Sequence, residues 1–328
     1  MRRFLLALAA AGLVAPPVAA QSPAPVATPA DLQAQLRALA VAQPGGAGIA
    51  AIDLATGREI SVDGDRPFPL ASTVKLLVAA TYLDAVDQGR RSLAEPIPFD
   101  ERWRHHDGLM TVLAHPGVTL SAANWIEAML TQSDNSAADQ MFAAVGGPAA
   151  VQRWATAHGV AGVRVDRDIG GILLDNIGLP RLAGRSDAEA LVAADALPAL
   201  APAQMDSAAA RFAADPRDQG SALGMARLLA RIDRGELLRP ASRAWLLDVL
   251  GRTRTGPDRI AAGLPAGARL AHKTGSLRGV TDDVGIATLP GGRRIAIAVL
   301  ASGPASDGKA RAALIAAAAR AIAAAPGW

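Results

Sequence analysis

Residues 67–80 read Pro-Phe-Pro-Leu-Ala-Ser-Thr-Val-Lys-Leu-Leu-Val-Ala-Ala. The apolar run that starts at Leu70 predicts a helix over residues 70–86, with Ser72 at its head. Lys75 follows three residues later, so its amine lies on the same helix face as the Ser72 hydroxyl. The helix dipole also favours a developing alkoxide at that position, by about 0.3–1 kcal/mol. The stretch therefore predicts a serine nucleophile, although a helix cap and a solvated lysine explain the same spacing.

A serine nucleophile needs a base to remove its proton. The sequence has no Gly-x-Ser-x-Gly turn, and its five histidines stand in no recognisable catalytic motif. Lysine is then the candidate base. Its pKa must fall by about three units from ~10.4, at a cost of about 4 kcal/mol, which burial and a neighbouring cation can supply. We expect Lys273 to be the cation beside Lys75.

Two further motifs follow along the chain. Residues 133–135 read Ser-Asp-Asn between two predicted helices, and residues 272–276 read His-Lys-Thr-Gly-Ser at the end of a predicted strand. A helix N-cap explains the first motif taken alone, and a strand-ending turn explains the second. However, of 33 basic residues only Lys75, Lys273 and Lys309 are lysine, and two of the three fall in these motifs. Their co-occurrence in this order favours one site built from all three motifs.

The remaining sequence predicts a sheet made by both ends of the chain. A helix over 30–42 and strands over 48–54 and 58–62 come first, and strands over 269–273, 283–289 and 294–301 with a helix over 308–323 come last. Helices are predicted over 121–131, 137–144, 149–158, 221–233 and 241–251. We therefore expect a sheet domain from residues 30–67 and 254–328 and a helical domain from residues 68–253. Residues 169–216 show no steady periodicity.

The three motifs resemble those of the class A β-lactamases and penicillin-binding proteins. The resemblance covers about residues 30–323, including residues 255–265, which read Thr-Gly-Pro-Asp-Arg-Ile-Ala-Ala-Gly-Leu-Pro. It implies an α+β fold with an antiparallel five-stranded sheet, flanked by terminal helices, and an inserted all-helical domain. The site is then expected in the cleft between the two parts.

The resemblance also implies the role of each catalytic residue. Ser72 would become acylated by the carbonyl of a β-lactam or of a D-Ala-D-Ala-like peptide. Lys75 would act as base or proton shuttle, and Ser133 would pass a proton to the leaving nitrogen. The oxyanion would lie between the backbone N–H groups of Ser72 and Ser276, where one donor is typically worth about 2.7–4 kcal/mol.

Substrate binding is implied for the remaining motif residues. Asn135 would hold the amide side chain of the substrate. Lys273 and Thr274 would bind its carboxylate, with the lysine as a point charge. Gly275 lets the strand approach another backbone or a ligand closely. No cofactor is implied.

The resemblance fails at the residue that would activate the deacylating water. Class A enzymes carry a glutamate on a loop beneath the site, and Ile169 stands where that glutamate is expected. About forty residues then intervene before residues 215–218 resume the likeness. Asp139 stands where the family often has asparagine. The deacylating base is left open among four acidic residues, each also explained as a solvated loop charge: Asp168, Asp175, Asp187 and Glu189.

Three functions are consistent with these observations. The first is a serine hydrolase that opens the β-lactam ring through an acyl-enzyme on Ser72. The second is a D-Ala-D-Ala-type cell-wall peptidase or esterase of the same fold that deacylates slowly. The third is a non-catalytic module that binds peptidoglycan, against which the intact set of Ser72, Lys75, Ser133 and Lys273 argues, since binding alone requires no nucleophile.

Composition and the N-terminus indicate an exported globular protein. The chain has 328 residues, no cysteine and a formal charge of +3, which gives no sign of a nucleic-acid partner. Residues 1–20 have the pattern of a secretory signal peptide, so we expect cleavage near Ala20, a tether over 21–29 and a periplasmic or secreted location without a membrane anchor. The histidines lack zinc-site spacing, so no metal is expected. We expect a monomer whose substrate is a small β-lactam or a cell-wall peptide.

Overall fold

Strands from both ends of the chain form one sheet in the computed structural model, which describes residues 28–196 and 198–328. The strands are β1 Ala47–Asp53, β2 Glu59–Val62, β3 Pro67–Pro69, β4 Pro96–Pro98, β5 Thr119–Ser121, β6 Gln219–Ser221, β7 Arg269–Leu277, β8 Val280–Thr288 and β9 Arg294–Ser302. Five of them pair in the order β2-β1-β9-β8-β7, with every neighbouring pair antiparallel. The predicted α+β fold with a five-stranded antiparallel sheet is confirmed.

The helices fall into a terminal group and an inserted group. In chain order they are α1 Pro29–Ala42, α2 Lys75–Asp87, α3 Leu109–Val112, α4 Ala122–Thr131, α5 Asn135–Val145, α6 Pro148–Ala157, α7 Ile169–Ile177, α8 Asp187–Ala194, α9 Pro202–Ala214, α10 Ala222–Arg234, α11 Pro240–Leu250, α12 Ile260–Gly263 and α13 Gly308–Ala324. In the described part of the chain, no helix is long and apolar enough to cross a membrane.

The sheet is covered on both faces because its strands carry apolar residues at successive positions. In β9, Ile295, Ile297 and Val299 face a core shared with α1 and α13, whereas Ala296 and Leu300 face the core of the inserted helices. Successive side chains of a strand point to opposite faces, so one unbroken apolar run serves two cores. The sheet thereby holds the helical part on one side and the terminal helices on the other.

Short strands fix the chain on either side of the central helices. β3 pairs with β6, and the amide of Leu70 donates to the carbonyl of Asp218 at 2.9 Å. The turn that follows β3, Ala71–Val74, is a 3-10 helix that leads into α2. Ser72 thus lies in a tight turn before the α-helix and not, as the sequence predicts, at the head of one continuous helix over 70–86.

The segment over 169–216, for which no elements are predicted, contains α7, α8 and α9. Asp168 and Ser186 cap α7 and α8, and Glu189 completes a capping box at the second of these. α7 has only nine residues and contains the Gly170–Gly171 pair, and α8 has only eight residues, so neither gives a long run of good helix formers. β7 is longer than predicted, because the four residues after Lys273, up to Leu277, also lie inside the strand and pair with β8.

The predicted signal peptide and most of the predicted tether lie outside the described residues. Of the tether over 21–29, Thr28 caps α1 and Pro29 is the first residue of that helix in the structure. The Thr28 side chain accepts from the amide of Asp31, and Pro29 occupies the first turn, where its missing N–H costs nothing.

Close packing of α12 on α13 leads to a stability prediction. A Cβ added to Gly263 would lie 2.8 Å from the Ala319 Cβ and closer still to the carbonyl of Ala316. We expect Gly263→Ala to lower the free energy of unfolding by about 1–3 kcal/mol through overpacking, measured by urea denaturation. Gly308→Ala is the matched control, because its Cβ would meet only ordinary contacts and its conformation suits alanine. Equal stability of the two variants would contradict this account.

Candidate active site

Ser72 is positioned by a turn held from both sides. The Thr73 amide donates to the carbonyl of Leu70 at 2.9 Å, and the Lys75 amide donates to the carbonyl of Ser72. Ala71, immediately before the serine, has a φ of 44°, in the left-handed region that costs a residue with a Cβ about 1–3 kcal/mol. The surrounding hydrogen bonds therefore hold the serine in a turn that the chain would not adopt alone.

Two buried lysine side chains meet at one hydroxyl. Lys75 Nζ donates to the Ser133 carbonyl at 2.6 Å and lies 3.3 Å from the Ser133 Oγ. Lys273 Nζ donates to the same Oγ at 2.9 Å and to the carbonyl of Thr274 at 2.8 Å. Asn135 Oδ1 accepts from Lys75 Nζ at 2.8 Å. Residues from three distant parts of the chain are thus within hydrogen-bonding distance of one another.

Burial changes the acidity of both lysines. Neither side chain is exposed to solvent. Burial lowers the pKa of Lys75 to about 8, against the opposing charges of Asp134, Asp139 and Asp107. Burial and the charge of Lys75 lower the pKa of Lys273 well below its ordinary value. A lysine with a pKa near 8 is partly neutral at neutral pH and can accept a proton there.

The sheet supplies the opposite wall of the site through β7. A Cβ on Gly275 would lie 3.1 Å from both the Ala71 Cβ and the Leu70 carbonyl oxygen. The glycine therefore allows the strand to approach the turn that carries Ser72. Thr274 Oγ1 lies 2.6 Å from Thr255 Oγ1, so its hydroxyl is held by the segment before the strand.

Arg259 is a residue of this site to which the sequence analysis assigned no role. Its guanidinium donates to the carbonyl of Gly275 at 2.9 Å, to that of Asp282 at 2.8 Å and to Ser276 Oγ at 2.6 Å. It places a second cation beside the strand that carries Lys273. The residue stands in the 255–265 segment noted for its resemblance, which is the signal that could have identified it.

A cavity of about 290 Å³, here called the Ser72 cavity, lies beside the two buried lysines, which are not among the residues that line it. Its walls come from the serine turn, the 133–135 loop, α7 and β7. They include Ser72, Ser133, Asn135, Asp107, Ile169, Ile172, Leu173, Thr255, Arg259, Thr274 and Ser276. Asp107, a second residue without an assigned role, accepts from Asn135 Nδ2 at 2.6 Å.

The start of α7 is fixed beneath the cavity by Asp139. Its buried carboxylate accepts from the amides of Ile169 at 2.7 Å and Gly170 at 3.0 Å, and lies 2.7 Å from His105 Nε2. Burial lowers the pKa of His105, but the Asp139 carboxylate outweighs burial and raises it above its ordinary value. A helix N-terminus favours negative charge, which explains a carboxylate here. The Ile169 side chain is thereby held against the Ser72 cavity.

An ion-pair cluster joins the two ends of the α7–α9 segment. The buried Arg167 side chain pairs with Asp175 and Asp218, each at 2.5 Å, and with Asp215 at 3.4 Å. Hydrogen bonds from the neighbouring Arg217 guanidinium lower the pKa of Asp215 to about 2. The cluster explains why both ends of the segment keep a recognisable sequence although about forty residues separate them.

Among the described residues, none of the four acidic candidates for activating water lines the Ser72 cavity. Asp175 pairs with Arg167 and Arg181, and Asp187 pairs with Arg181. Glu189 completes the capping box at α8, and Asp168 caps α7 through the amide of Gly171. Ile169 supplies an apolar surface where a carboxylate is expected.

Comparisons with known proteins agree with this arrangement. The sequence model of the family described as "Beta-lactamase enzyme family" matches residues 31–325 of this chain. A β-lactamase of Streptomyces fradiae is 31% identical over 98% of this chain and 95% of its own length. A β-lactamase from Chitinophaga pinensis, 27% identical, superimposes with a TM-score of 0.73 over 90% of this chain and 100% of its own. A mutant of PBP-A, solved as an acyl-enzyme complex with penicillin G, is 27% identical with a TM-score of 0.70, over 92% and 98% of the two chains.

The carboxyl group of Asp168 predicts a pH dependence of stability. Burial raises its pKa from 3.8 to about 7, and the charge of Asp139 adds to the shift. Since the ionised form is disfavoured in the folded state, this group's contribution to stability is complete below pH 4 and is lost as the pH rises to about 7. We expect Asp168→Asn, which keeps the helix cap, to remove this loss, worth up to about 1.4 kcal/mol per pH unit.

The measurement is urea denaturation of both proteins from pH 4 to pH 8. Asp168→Ala is the control, because it removes the charge and also the cap, and should be less stable than Asp168→Asn by about 1 kcal/mol at every pH. Parallel pH profiles for the wild type and Asp168→Asn would show that this carboxyl group does not carry the effect.

Proposed function

Because the chain belongs to the beta-lactamase enzyme family and is a serine β-lactamase-like hydrolase, we propose that it opens the β-lactam ring by acylation of the Ser72 hydroxyl. The observation that carries the proposal is the meeting of Lys75 and Lys273 at the Ser133 hydroxyl, beside a cavity that Ser72 lines. A binding module has no need of a lysine whose pKa is lowered to about 8, three residues along the chain from a serine that lines the cavity.

In the proposed acylation, the Ser72 Oγ forms a bond with the carbonyl carbon of the lactam. Its proton passes to the neutral amine of Lys75. The bond between that carbon and the ring nitrogen then breaks, and the nitrogen takes a proton from the Ser133 hydroxyl. Ser133 recovers a proton from the adjacent Lys75 ammonium, so the step ends with an ester on Ser72, a neutral amine and no net change in protons.

The other motif residues bind and polarise the substrate in this proposal. The backbone N–H groups of Ser72 and Ser276 stabilise the oxyanion, so the position of Ser276 matters more than its side chain. Lys273, Thr274 and Arg259 bind the carboxylate, with Arg259 held beside the strand by its bonds to Gly275 and Ser276.

A second candidate function is favoured by Ile169. Release of the acyl group requires an activated water, and the apolar Ile169 side chain occupies the wall where the family places a glutamate. A cell-wall peptidase or esterase of the same fold, which is acylated by β-lactams but releases them slowly, therefore remains the alternative. Acylation is common to both functions, and the lifetime of the adduct separates them.

Intact-mass spectrometry with penicillin G tests acylation directly. We expect one covalent adduct of the mass of the whole antibiotic, since ring opening loses no atoms. Ser72→Ala should form none, because the nucleophile is gone. Ser306→Ala, an exposed serine outside the Ser72 cavity, is the matched control and should acylate like the wild type.

The same time course decides between the two functions. An adduct that disappears within seconds while hydrolysed penicillin accumulates supports the β-lactamase. An adduct that persists for hours supports the slow-releasing peptidase. A wild type that forms neither an adduct nor hydrolysed penicillin would contradict both, as would an adduct on Ser72→Ala.

The role of Lys75 predicts the pH dependence of acylation. The pKa of Lys75 is lowered to about 8, and the amine accepts a proton only when neutral. The acylation rate constant, measured in single-turnover reactions, should therefore rise about tenfold per pH unit below pH 8 and level off above it. Lys75→Arg preserves the charge but cannot give up its proton, and should lose about 10²–10⁴-fold in this rate. A flat pH profile, or an active Lys75→Arg, would remove lysine from the base role.

A further inference from the structure

A second cavity of about 410 Å³ lies next to the Ser72 cavity. We call it the side cavity. Its walls are mainly apolar and are contributed by α7, α8, α9 and the chain between them. The apolar residues that line it are Leu173, Ile177, Leu179, Leu191, Leu200 and Met205. A concave apolar site of this volume is of the size that holds a small organic group.

One face of α7 leads from the first cavity into the second. Ile169 lines the Ser72 cavity, Leu173 lines both cavities, and Ile177 lines the side cavity. These residues are four apart, so their side chains form one stripe along the helix that extends about 12 Å from the first to the last. An apolar chain that starts near Ser72 can therefore stay in contact with hydrocarbon along its length.

The junction between the cavities lies beside the residue expected to hold the amide side chain of the substrate. Asp107 lines both cavities, and its Oδ2 accepts from Asn135 Nδ2 at 2.6 Å. A substituent that continues beyond an amide held by Asn135 thus passes between Asp107 and Leu173. Both flank the entrance to the side cavity.

The charges around the side cavity leave its interior apolar. His106 and Asp195 line it and pair with each other at 3.0 Å, while their side chains remain 56% and 69% exposed. The pair lies at the solvent-facing rim. His105 and Asp107 also line the cavity, but His105 pairs with the buried Asp139 at 2.7 Å and Asp107 accepts from Asn135, so their polar atoms have partners in the protein. The remaining lining is apolar and suits a hydrocarbon chain.

We propose that the side cavity binds the apolar acyl chain on the amide side chain of the substrate, so that the enzyme prefers β-lactams or peptides with long aliphatic or aromatic acyl groups. The inference rests on the proposed acylation of Ser72, because it extends that substrate's position. It gives the α7–α9 segment a function, since the helices that the segment adds form most of the cavity wall.

A homologous series of substrates tests the proposal. The probes are penicillins whose amide nitrogen carries an acetyl, butanoyl, hexanoyl or octanoyl group, and the measured quantity is the second-order rate constant for acylation of Ser72. Each methylene buried should increase this constant by about fourfold until the cavity is filled. Ala194→Phe, which places a ring at the cavity wall, should abolish the increase while leaving the acetyl compound almost unaffected.

Ala193→Phe is the matched control, because it makes the same change on the same helix at a half-buried residue that does not line the side cavity. It should keep the wild-type dependence on chain length, and thermal unfolding of both variants checks that they fold. Equal rate constants across the series in the wild type, or an unchanged dependence in Ala194→Phe, would overturn this inference and leave the acylation of Ser72 intact. No acylation by any member of the series would overturn both.

Discussion

Two lysine amines enclosed by protein meet at the hydroxyl of Ser133, and the site depends on this contact. Burying two cations side by side is costly unless each finds several acceptors. Here the acceptors are backbone carbonyls of Ser133 and Thr274 and the amide oxygen of Asn135, which belong to different parts of the chain. The contact therefore requires α2, the 133–135 loop and β7 to remain packed together, and the lowered pKa of Lys75 is a result of that packing.

Features that depend on local spacing could be predicted from the sequence. Three motifs have distinctive residue types: Ser72 with Lys75, residues 133–135 and residues 272–276. The strands near the two ends of the chain have side chains that alternate between apolar and polar or are continuously apolar. Arg259 and Asp107 could not be assigned from the same information, because their contacts join residues far apart along the chain. The helices over 169–216 are not predicted for a different reason: α7 and α8 have only nine and eight residues, and their stabilisation comes from capping groups and from packing.

The α7–α9 segment uses different residues to anchor itself to the protein and to form the wall of the Ser72 cavity. Carboxylates of Asp139 and Asp218 hold its start, through amides at the head of α7 and through the buried Arg167 side chain. The surface that it turns toward Ser72 is apolar, with Ile169 and Leu173 in the wall. Anchoring thus uses charge at the start of the helix, whereas the side chains of α7 that line the Ser72 cavity are hydrocarbon.

The pairing of β1 with β9 has a consequence for how the chain reaches its final state. Ala47 in β1 pairs with Ala301 in β9, so β1 cannot form this pairing until one of the last segments of the chain has been synthesised. At typical ribosomal speeds the delay is on the order of ten seconds or more, during which β1 and β2 have no partner beyond each other. A two-stranded hairpin is at best marginally stable alone, so the sheet cannot be an early nucleus. The native sheet topology therefore forms late. Until its C-terminal strands have been synthesised, the nascent chain can still be translocated as an unfolded chain or bound by chaperones.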